Sequence, residues 1–290
     1  MTDRKHVLRG RTAVVTGAAR GVGEAIAREL ADRGAEVALL GLEEKSLARV
    51  AQELPTPSRH WHVDVTDTDA MERVAGEIRD QQGPASVVVA NAGIAEGGPF
   101  VDSDPASWQR VINVNLVGSA NTARVFLPQL LHTHGYFLQI ASLASIGAAP
   151  LMSAYCASKA GVESLSQSLR AELAPRGVRV GAAYLSWTDT DMIRDADQHA
   201  VLRELRAHMP APARKVYPPE HVAGRLVDAV ERRAATVYVP GWLRAVQLVR
   251  AGLPPLVSRY ARQELTRSEF SATGLLGPGG RAAETPTGPR

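Results

Sequence analysis

Cysteine, lysine and aromatic residues are scarce in this 290-residue sequence. The single cysteine, Cys156, cannot form an internal disulfide bond, and no run of about 18 apolar residues is present, which excludes a membrane-spanning helix. Arg and Gly interrupt the first residues before an apolar core of about seven residues forms, so we expect no secretory signal peptide. These absences together predict a cytoplasmic protein.

Neither sign of charge is in large excess. The chain carries 33 Lys and Arg against 30 Asp and Glu, a net charge of +3. Residues 1–240 hold 26 basic and 27 acidic side chains, whereas residues 241–290 hold seven Arg and three Glu. Because the first part is nearly neutral, we expect no nucleic-acid partner. A hydrophobic fraction of 45% and a charged fraction of 22% are typical of a globular protein.

Short apolar segments with strand character alternate with segments of helical spacing. Strands are predicted at 12–16, 36–40, 61–63, 86–90, 136–141, 178–184 and 236–239, and helices at 22–33, 43–53, 68–80, 106–131, 153–173 and 220–232. The strands are rich in Val and Leu without polar alternation, as a parallel sheet covered on both faces requires. The sequence predicts an α/β fold: a doubly wound Rossmann-type parallel sheet of about seven strands with helices on both faces.

We divide the chain into one catalytic and dinucleotide-binding domain, residues 1–240, and a C-terminal part. The irregular stretch 189–215 is predicted to be a substrate loop. Residues 241–270 form a basic helical extension, expected to pack on its own subunit or a neighbour's pocket, with peripheral membrane contact through 241–267 as the less favoured alternative. Residues 271–290 are rich in Gly, Pro, Ser and Thr, and they are predicted to be disordered.

A glycine-rich loop follows the first strand directly and opens the first helix. Glycines permit a tight turn, and the free N–H groups of a helix N-terminus attract a pyrophosphate. The spacing differs from the G-x-G-x-x-G fingerprint, so an ordinary turn is the alternative. Later strands also end in ligand-compatible residues at the same sheet edge. The candidate cofactor residues on these elements are Gly17, Arg20, Gly21, Val22, Gly23, Asp64, Val65, Asn91, Ala92 and Gly93.

A tyrosine and a lysine four residues apart, Tyr155 and Lys159, share one face of a predicted helix. A phenol has a pKa of about 10, and an ammonium in a partly dehydrated cleft stabilises the phenolate. Tyr155 could then exchange a proton with a carbonyl or alcohol oxygen. The alternative is a packed Tyr beside a solvated Lys. The choice of one of only four lysines, in a chain with 29 Arg, favours the chemical interpretation.

Residues 10–240 resemble the short-chain dehydrogenase/reductase family. The motifs that carry the resemblance occur in the family's order and spacing; they are Thr16-Gly17-x3-Gly21-x-Gly23, Asp64, Asn91-Ala92-Gly93, Asn115, Ser142, Tyr155 and Lys159. The resemblance implies that Tyr155 is the general acid/base and that Ser142 hydrogen-bonds the reacting oxygen. It implies that Lys159 lowers the pKa of Tyr155 and holds the nicotinamide ribose, and that Asn115 kinks its helix and positions a water for a proton relay.

The resemblance also implies how a nicotinamide cofactor is bound. Asp64 and Val65 match residues near the adenine, and Thr190 matches the Thr that contacts the carboxamide, although Leu185-Ser186 replaces the family's Pro-Gly before it. The second strand ends at Gly41, where an acidic residue would select NAD. Arg20 resembles the basic residue that pairs with the 2′-phosphate, so NADP(H) is favoured and NAD(H) is the alternative.

The expected function is hydride transfer between this cofactor and a ketone or secondary alcohol, an apolar steroid-, terpenoid-, polyketide- or lipid-like compound. The expected pocket lining is Phe100, Leu143, Ile146, Leu151, Met152, Trp187, Met192, Ile193 and Met209. The alternative is a catalytically silent nucleotide-binding sensor or scaffold. No metal site is expected, since the pairs His60/His62 and His132/His134 lack further ligands. The family resemblance implies a homodimer or homotetramer.

Overall fold

Seven parallel strands form one sheet, and their order determines where a ligand can bind. The computed structural model describes residues 7–207, 209–264 and 271–284. The strands lie in the order β3-β2-β1-β4-β5-β6-β7. Strands β2 and β3 are added on one side of β1 and strands β4 to β7 on the other, so the strand order reverses between β1 and β4, and the crevice for a ligand lies at this point. The predicted doubly wound fold is confirmed. The strands are β1 (Thr12–Thr16), β2 (Glu36–Gly41), β3 (Arg59–His62), β4 (Ala85–Ala90), β5 (Tyr136–Ser142), β6 (Arg179–Leu185) and β7 (Thr236–Val239).

Helices cover both faces of the sheet. Side chains of α1, α2 and α11 join one buried apolar cluster, and those of α3, α5 and α7 join another. Val15 belongs to the first cluster and Val14 to the second, because successive side chains of a strand point to opposite faces. The helices are α1 (Gly21–Asp32), α2 (Glu44–Glu53), α3 (Thr68–Gln82), α4 (Pro105–Ile112), α5 (Gly118–Thr133), α6 (Leu143–Ile146), α7 (Ser153–Leu173), α8 (Asp191–Ala196), α9 (Ala200–Ala207), α10 (Ala211–Arg214), α11 (Pro219–Glu231), α12 (Leu243–Leu248), α13 (Leu253–Glu264) and α14 (Gly277–Glu284).

Two predicted segments differ from the observed ones. The single helix predicted over 106–131 is divided by a π-helical turn, Asn113–Val117, between α4 and α5. The substrate loop predicted at 189–215 contains the three short helices α8, α9 and α10. In both places the hydrophobic spacing is compatible with more than one backbone path, and contacts from other parts of the chain decide between them.

The C-terminal extension packs on its own subunit through a buried carboxylate. Glu163 on α7 is 3% exposed and accepts hydrogen bonds from Tyr184 Oη, Gln247 Nε2 and Arg250 Nη1, each at 2.9 Å. Leu243 of α12 is fully buried in an apolar cluster beside these contacts. The prolines at 254 and 255 lie in the first turn of α13, where a missing N–H costs no helical hydrogen bond.

The structure differs from the predicted disorder of 271–290 at residues 271–284, which we call the C-terminal strap. Leu275 forms an antiparallel bridge with Glu96, and Leu275 and Leu276 are only 7% and 1% exposed. Helix α14 follows. The strap contains four glycines and one proline, but its two adjacent leucines supply apolar surface that burial stabilises. Residues 285–290, and 265–270 of the extension, lie outside the described residues.

Membrane contact through 241–267 stays a prediction. Across the described parts of the chain, no helix combines the length and the apolar character needed to cross a bilayer.

Removing the charged donor to Glu163 should loosen the extension. We expect Arg250→Met to lower the free energy of unfolding by about 1–2 kcal/mol, because the buried carboxylate keeps Tyr184 and Gln247 but loses the guanidinium. Urea unfolding followed by circular dichroism measures the change. Arg244→Met, at an exposed position of α12, should stay within about 0.5 kcal/mol of the wild type. Equal losses in the two variants would contradict the anchoring role of Glu163.

Candidate active site

A cleft runs along the carboxyl ends of the central strands, at the point where the strand order reverses. It encloses a cavity of about 240 Å³ that reaches from the ends of β2 and β3 to the N-terminal turns of α7. All the residues predicted to bind the cofactor line it, namely Gly17, Arg20, Gly21, Val22, Gly23, Asp64, Val65, Asn91, Ala92, Gly93, Tyr155, Lys159 and Thr190. The topology therefore brings residues from five distant stretches of sequence to one groove.

The glycine loop is held in place by the neighbouring strand. Thr16 Oγ1 accepts hydrogen bonds from the N–H groups of Asn91 and Ala92, at 3.0 and 3.1 Å, and Asn91 Nδ2 donates to the carbonyls of Thr16 and Gly17. Gly17 has φ of +65°, and a Cβ there would lie 2.9 Å from Ala92 Cα, so no larger side chain fits. The first N–H groups of α1 have no partner within the helix. A cradle of this kind fits the pyrophosphate of a dinucleotide.

Arg20 stands at the end of the cleft that is lined by Gly41 and Leu42, after β2. Its guanidinium contacts Glu43 Oε1 at 2.9 Å and Asp191 Oδ2 at 3.6 Å. Glu43 was not among the residues predicted from the sequence, because the residue at the end of β2 is Gly41. The carboxylate of Glu43, two residues farther along the chain, nevertheless reaches the guanidinium of Arg20.

Asp64 and Val65 form the wall beside β3. Asp64 accepts a hydrogen bond from Arg110 Nη2 at 2.5 Å and two more from the backbone and side chain of Thr66. Burial raises the pKa of Asp64, but these hydrogen bonds outweigh it, so the net shift is downward and the group is a carboxylate at neutral pH. Val65 is buried, and its carbonyl accepts from Asn121 Nδ2. The wall is thus rigidly held.

The proposed reactive groups meet at the end of β5. Ser142 is the last residue of β5, and it lines the same cleft as Tyr155 on α7. Lys159 Nζ lies 5.7 Å from the centre of the Tyr155 ring and donates to the carbonyl of Ile140 at 3.2 Å. The predicted spacing of four residues does place Tyr155 and Lys159 on one helical face.

The electrostatics of this pair differ from the expectation. Burial raises the pKa of Tyr155, and the polar side chain of Ser142 opposes this without outweighing it. Burial also lowers the pKa of Lys159 to about 8, so its ammonium is itself poorly stabilised and is not a strong partner for a phenolate. In the ligand-free chain Tyr155 therefore holds its proton at neutral pH.

Asn115 lies in the π-helical turn and is 1% exposed. Its Oδ1 accepts from the N–H of Ile94 at 2.8 Å, and its Nδ2 donates to the carbonyl of Ile94 and to Ser158 Oγ, both at 2.9 Å. A Cβ built on Gly93 would lie 3.3 Å from Asn115 Oδ1 and 3.5 Å from Lys159 Nζ. The π turn thus ties the end of β4 to the helix that carries Tyr155 and Lys159.

Thr190 is the N-cap residue of α8 and approaches the glycine loop from the other side of the cleft. Its Cγ2 lies 3.0 Å from the position that a Cβ on Gly21 would take. The departure at Leu185-Ser186 leaves both residues in the cleft wall, so the substitution changes the lining without removing Thr190 from it.

A second cavity of about 110 Å³ opens beside Ser142 and Tyr155. Six of the predicted apolar residues line it: Leu143, Met152, Trp187, Met192, Ile193 and Met209. Phe100 does not, because it is 69% exposed and packs edge-on against Trp108; Ile146 and Leu151 are also absent from the lining. Leu276 of the strap was not predicted and lines both cavities. The sequence around Leu276 is rich in Gly, Pro, Ser and Thr, so its composition does not indicate that this leucine lines a cavity.

Sequence comparison agrees with this geometry. The family model for short chain dehydrogenases matches residues 11–200. The chain belongs to the short-chain dehydrogenase family. An uncharacterized oxidoreductase of Staphylococcus epidermidis is 34% identical over 188 residues, 64% of this chain and 82% of the relative. Nodulation protein G of Rhizobium sp. (strain N33) is 30% identical over 248 residues, 82% of this chain and 99% of the relative.

Solved structures of other short-chain dehydrogenases have the same fold. A metagenomic short-chain oxidoreductase in complex with NADP is 29% identical, covers 80% of this chain and 97% of its own, and superimposes with a TM-score of 0.66. Members of the family use NAD or NADP, and the cradle described above fits such a group. Among the residues that the structure describes, no group of three or more His, Cys, Asp and Glu side chains could hold a metal ion.

Lys159 should destabilise the ligand-free short-chain dehydrogenase in a pH-dependent way. Its pKa is about 8 in the fold against 10.5 ordinarily, so the unfolded chain binds this proton more tightly. The destabilisation is complete below pH 8 and disappears between pH 8 and 10.5. We expect Lys159→Met to raise the free energy of unfolding by roughly 1–3 kcal/mol at pH 7.

Thermal unfolding at pH 7 and at higher pH measures this, and the gain should shrink as the pH rises. The exposed Lys45→Met is the control and should show no such trend. A stability change in Lys159→Met that is the same at both pH values would contradict the prediction.

Proposed function

We propose that this short-chain dehydrogenase transfers a hydride between NADP(H) and a ketone or secondary alcohol with apolar substituents. The observation that carries the proposal is the meeting of two cavities at the same polar groups. Ser142 and Tyr155 line both the cofactor cleft and the smaller apolar cavity. A carbonyl carbon at this junction has its oxygen beside two hydroxyl groups, which is the arrangement that proton exchange requires.

Each polar group has a separate role in this proposal. A bound nicotinamide supplies or accepts the hydride. Tyr155 donates the proton to the carbonyl oxygen during reduction, in keeping with a phenol that holds its proton at neutral pH. Ser142 hydrogen-bonds that oxygen and orients it. Lys159, with a pKa of about 8, exchanges protons near neutral pH and holds the ribose. Asn115 is a positioning residue, since its amide is engaged with Ile94 and Ser158.

The preference for NADP(H) rests on Arg20. Its guanidinium lies at the end of the cleft beside β2, where we place the adenosine ribose, and β2 ends in Gly41 without a carboxylate of its own. The NADP complex of a related protein supports the same choice. Glu43 is the present partner of Arg20, so the 2′-phosphate has to replace Glu43 in this ion pair.

The apolar substrate class rests on the lining of the second cavity, where Met152, Trp187 and Met192 surround the space beside Ser142. Such a lining favours hydrocarbon substituents over a hydroxylated sugar. A homodimer or homotetramer and a cytoplasmic location remain predictions from the sequence.

Removing the phenolic hydroxyl tests the reaction. We expect Tyr155→Phe to lower kcat by at least about 100-fold, while the Kd for the cofactor, measured by calorimetry, changes little because the ring remains. The assay is NADPH oxidation with a panel of ketones and NADP reduction with a panel of secondary alcohols. Unchanged turnover in the variant would overturn the assignment of Tyr155. Tight nucleotide binding without turnover of any compound by the wild type would instead favour a sensor or scaffold.

Changing the charges at the adenosine end tests the cofactor choice. Arg20→Ala should raise KM for NADPH about 10- to 100-fold, because it removes a charge-assisted contact to the phosphate, and should leave KM for NADH nearly unchanged. Glu43→Gln should lower KM for NADPH, since the competing carboxylate is gone. Steady-state kinetics with both nucleotides provide the measurement. A strong preference of the wild type for NADH would show that NADP(H) is the wrong choice.

A further inference from the structure

The C-terminal strap reaches the junction between the two cavities. Leu276 is 1% exposed and lines both cavities, together with Ser142 and Tyr155. The residues that match the family model end at residue 200, so Leu276 belongs to a part of the chain that the family match does not cover. A side chain from outside the matched region therefore lines the same cavities as the two proposed reactive groups, Ser142 and Tyr155.

One edge of the strap is fixed to the loop that follows β4. The N–H groups of Thr273 and Leu276 donate to the carbonyls of Gly97 and Ala95, both at 2.8 Å, and Thr273 Oγ1 accepts from the N–H of Gly97 at 2.9 Å. Gly98 has φ of +128°, and a Cβ there would lie 2.6 Å from Ala272 Cα. The backbones pack so closely that this loop accommodates the strap only with glycine at position 98.

The other edge of the strap is fixed to α8. Asp195 Oδ2 accepts from the N–H of Gly277 at 2.6 Å and from Arg281 Nη1 at 3.2 Å. Gly277 has φ of +73° and packs directly on Met192, which also lines both cavities. Leu276 is thus held from both sides, by backbone pairing before it and by a carboxylate after it.

We propose that Leu276 is a specificity-determining residue that limits the size of the substrate. The inference rests on the proposed function and deepens it. The apolar cavity that Leu276 helps to enclose has a volume of about 110 Å³, whereas an apolar cavity of about 150 Å³ holds benzene. We therefore expect the preferred substrate to be a ketone or secondary alcohol whose larger substituent has about six carbons or fewer, and Leu276 to disfavour larger substituents such as fused rings.

The test is a series of methyl ketones, from 2-butanone to 2-decanone, with the reduced nicotinamide nucleotide that the wild type uses. Leu276→Ala removes three carbons from the wall. We expect the ratio of kcat/KM for 2-decanone to that for 2-pentanone to rise at least about 10-fold, and Leu276→Phe to lower it, since one methylene in such a pocket changes kcat/KM about 10- to 200-fold. Leu256→Ala, on the exposed face of α13, should leave the ratio unchanged. An unchanged ratio in Leu276→Ala, in an enzyme that reduces ketones, overturns the inference and leaves the proposed function standing.

A second readout does not depend on turnover. Cys156, the only thiol of the chain, is 7% exposed and belongs to the same apolar cluster as Leu276. A carboxylate at position 276 should leave the apolar cluster and expose Cys156. We therefore expect Leu276→Asp to speed the alkylation of Cys156 by iodoacetamide at least about 10-fold, whereas Leu256→Asp should leave the alkylation rate unchanged. Circular dichroism checks that both variants are folded.

The two readouts separate the two ideas. A wild type that reduces none of the ketones overturns the proposed function for this substrate class, and the alkylation rate then decides the inference alone. Faster alkylation in Leu276→Asp supports the seating of Leu276 in the wall, and equal rates in both variants overturn it.

Discussion

The hydrogen bonds between Thr16 and the Asn91-Ala92 backbone hold the ends of β1 and β4 together, and the rest of the site takes its position from this junction. The two strands are neighbours because the chain returns to β1 after β3 and adds β4 on its other side. On one side of the junction the glycine loop leads into α1. On the other side Gly93 lies between Asn115 and Lys159. One short contact between two strand ends therefore sets the distance between the glycine-loop cradle and the proposed reactive groups.

Much of this arrangement could be predicted from the sequence, and the exceptions share a physical cause. The central strands, such as β1 and β4, are apolar at successive positions because both faces of the sheet are covered, so a local pattern identifies them. The approach of Glu43 to Arg20 depends instead on the path of a loop, and the π turn around Asn115 depends on partners at Ile94 and Ser158. Local sequence patterns contain no record of contacts that are made only after the chain has folded.

The strap was mispredicted for a related reason. Its four glycines and single proline suggest disorder when the composition is averaged over a window, yet the close approach of the strap to the body of the protein needs glycine at position 277. The two buried charged groups of α7 show a parallel contrast. Glu163 is surrounded by hydroxyl, amide and guanidinium donors and serves the packing of the extension. Lys159 has the Ile140 carbonyl and the face of Tyr155, and it remains free to titrate.

The position of the strap has a consequence for the order in which the protein is made. A ribosome releases the chain from its N-terminus onward, so the sheet, the glycine loop and α7 can all fold before residue 276 has emerged. The smaller cavity is then closed by a segment that is synthesised after all of these elements. A nascent chain that stops before residue 276 can possess the complete glycine-loop cradle and still lack one wall of the candidate active site.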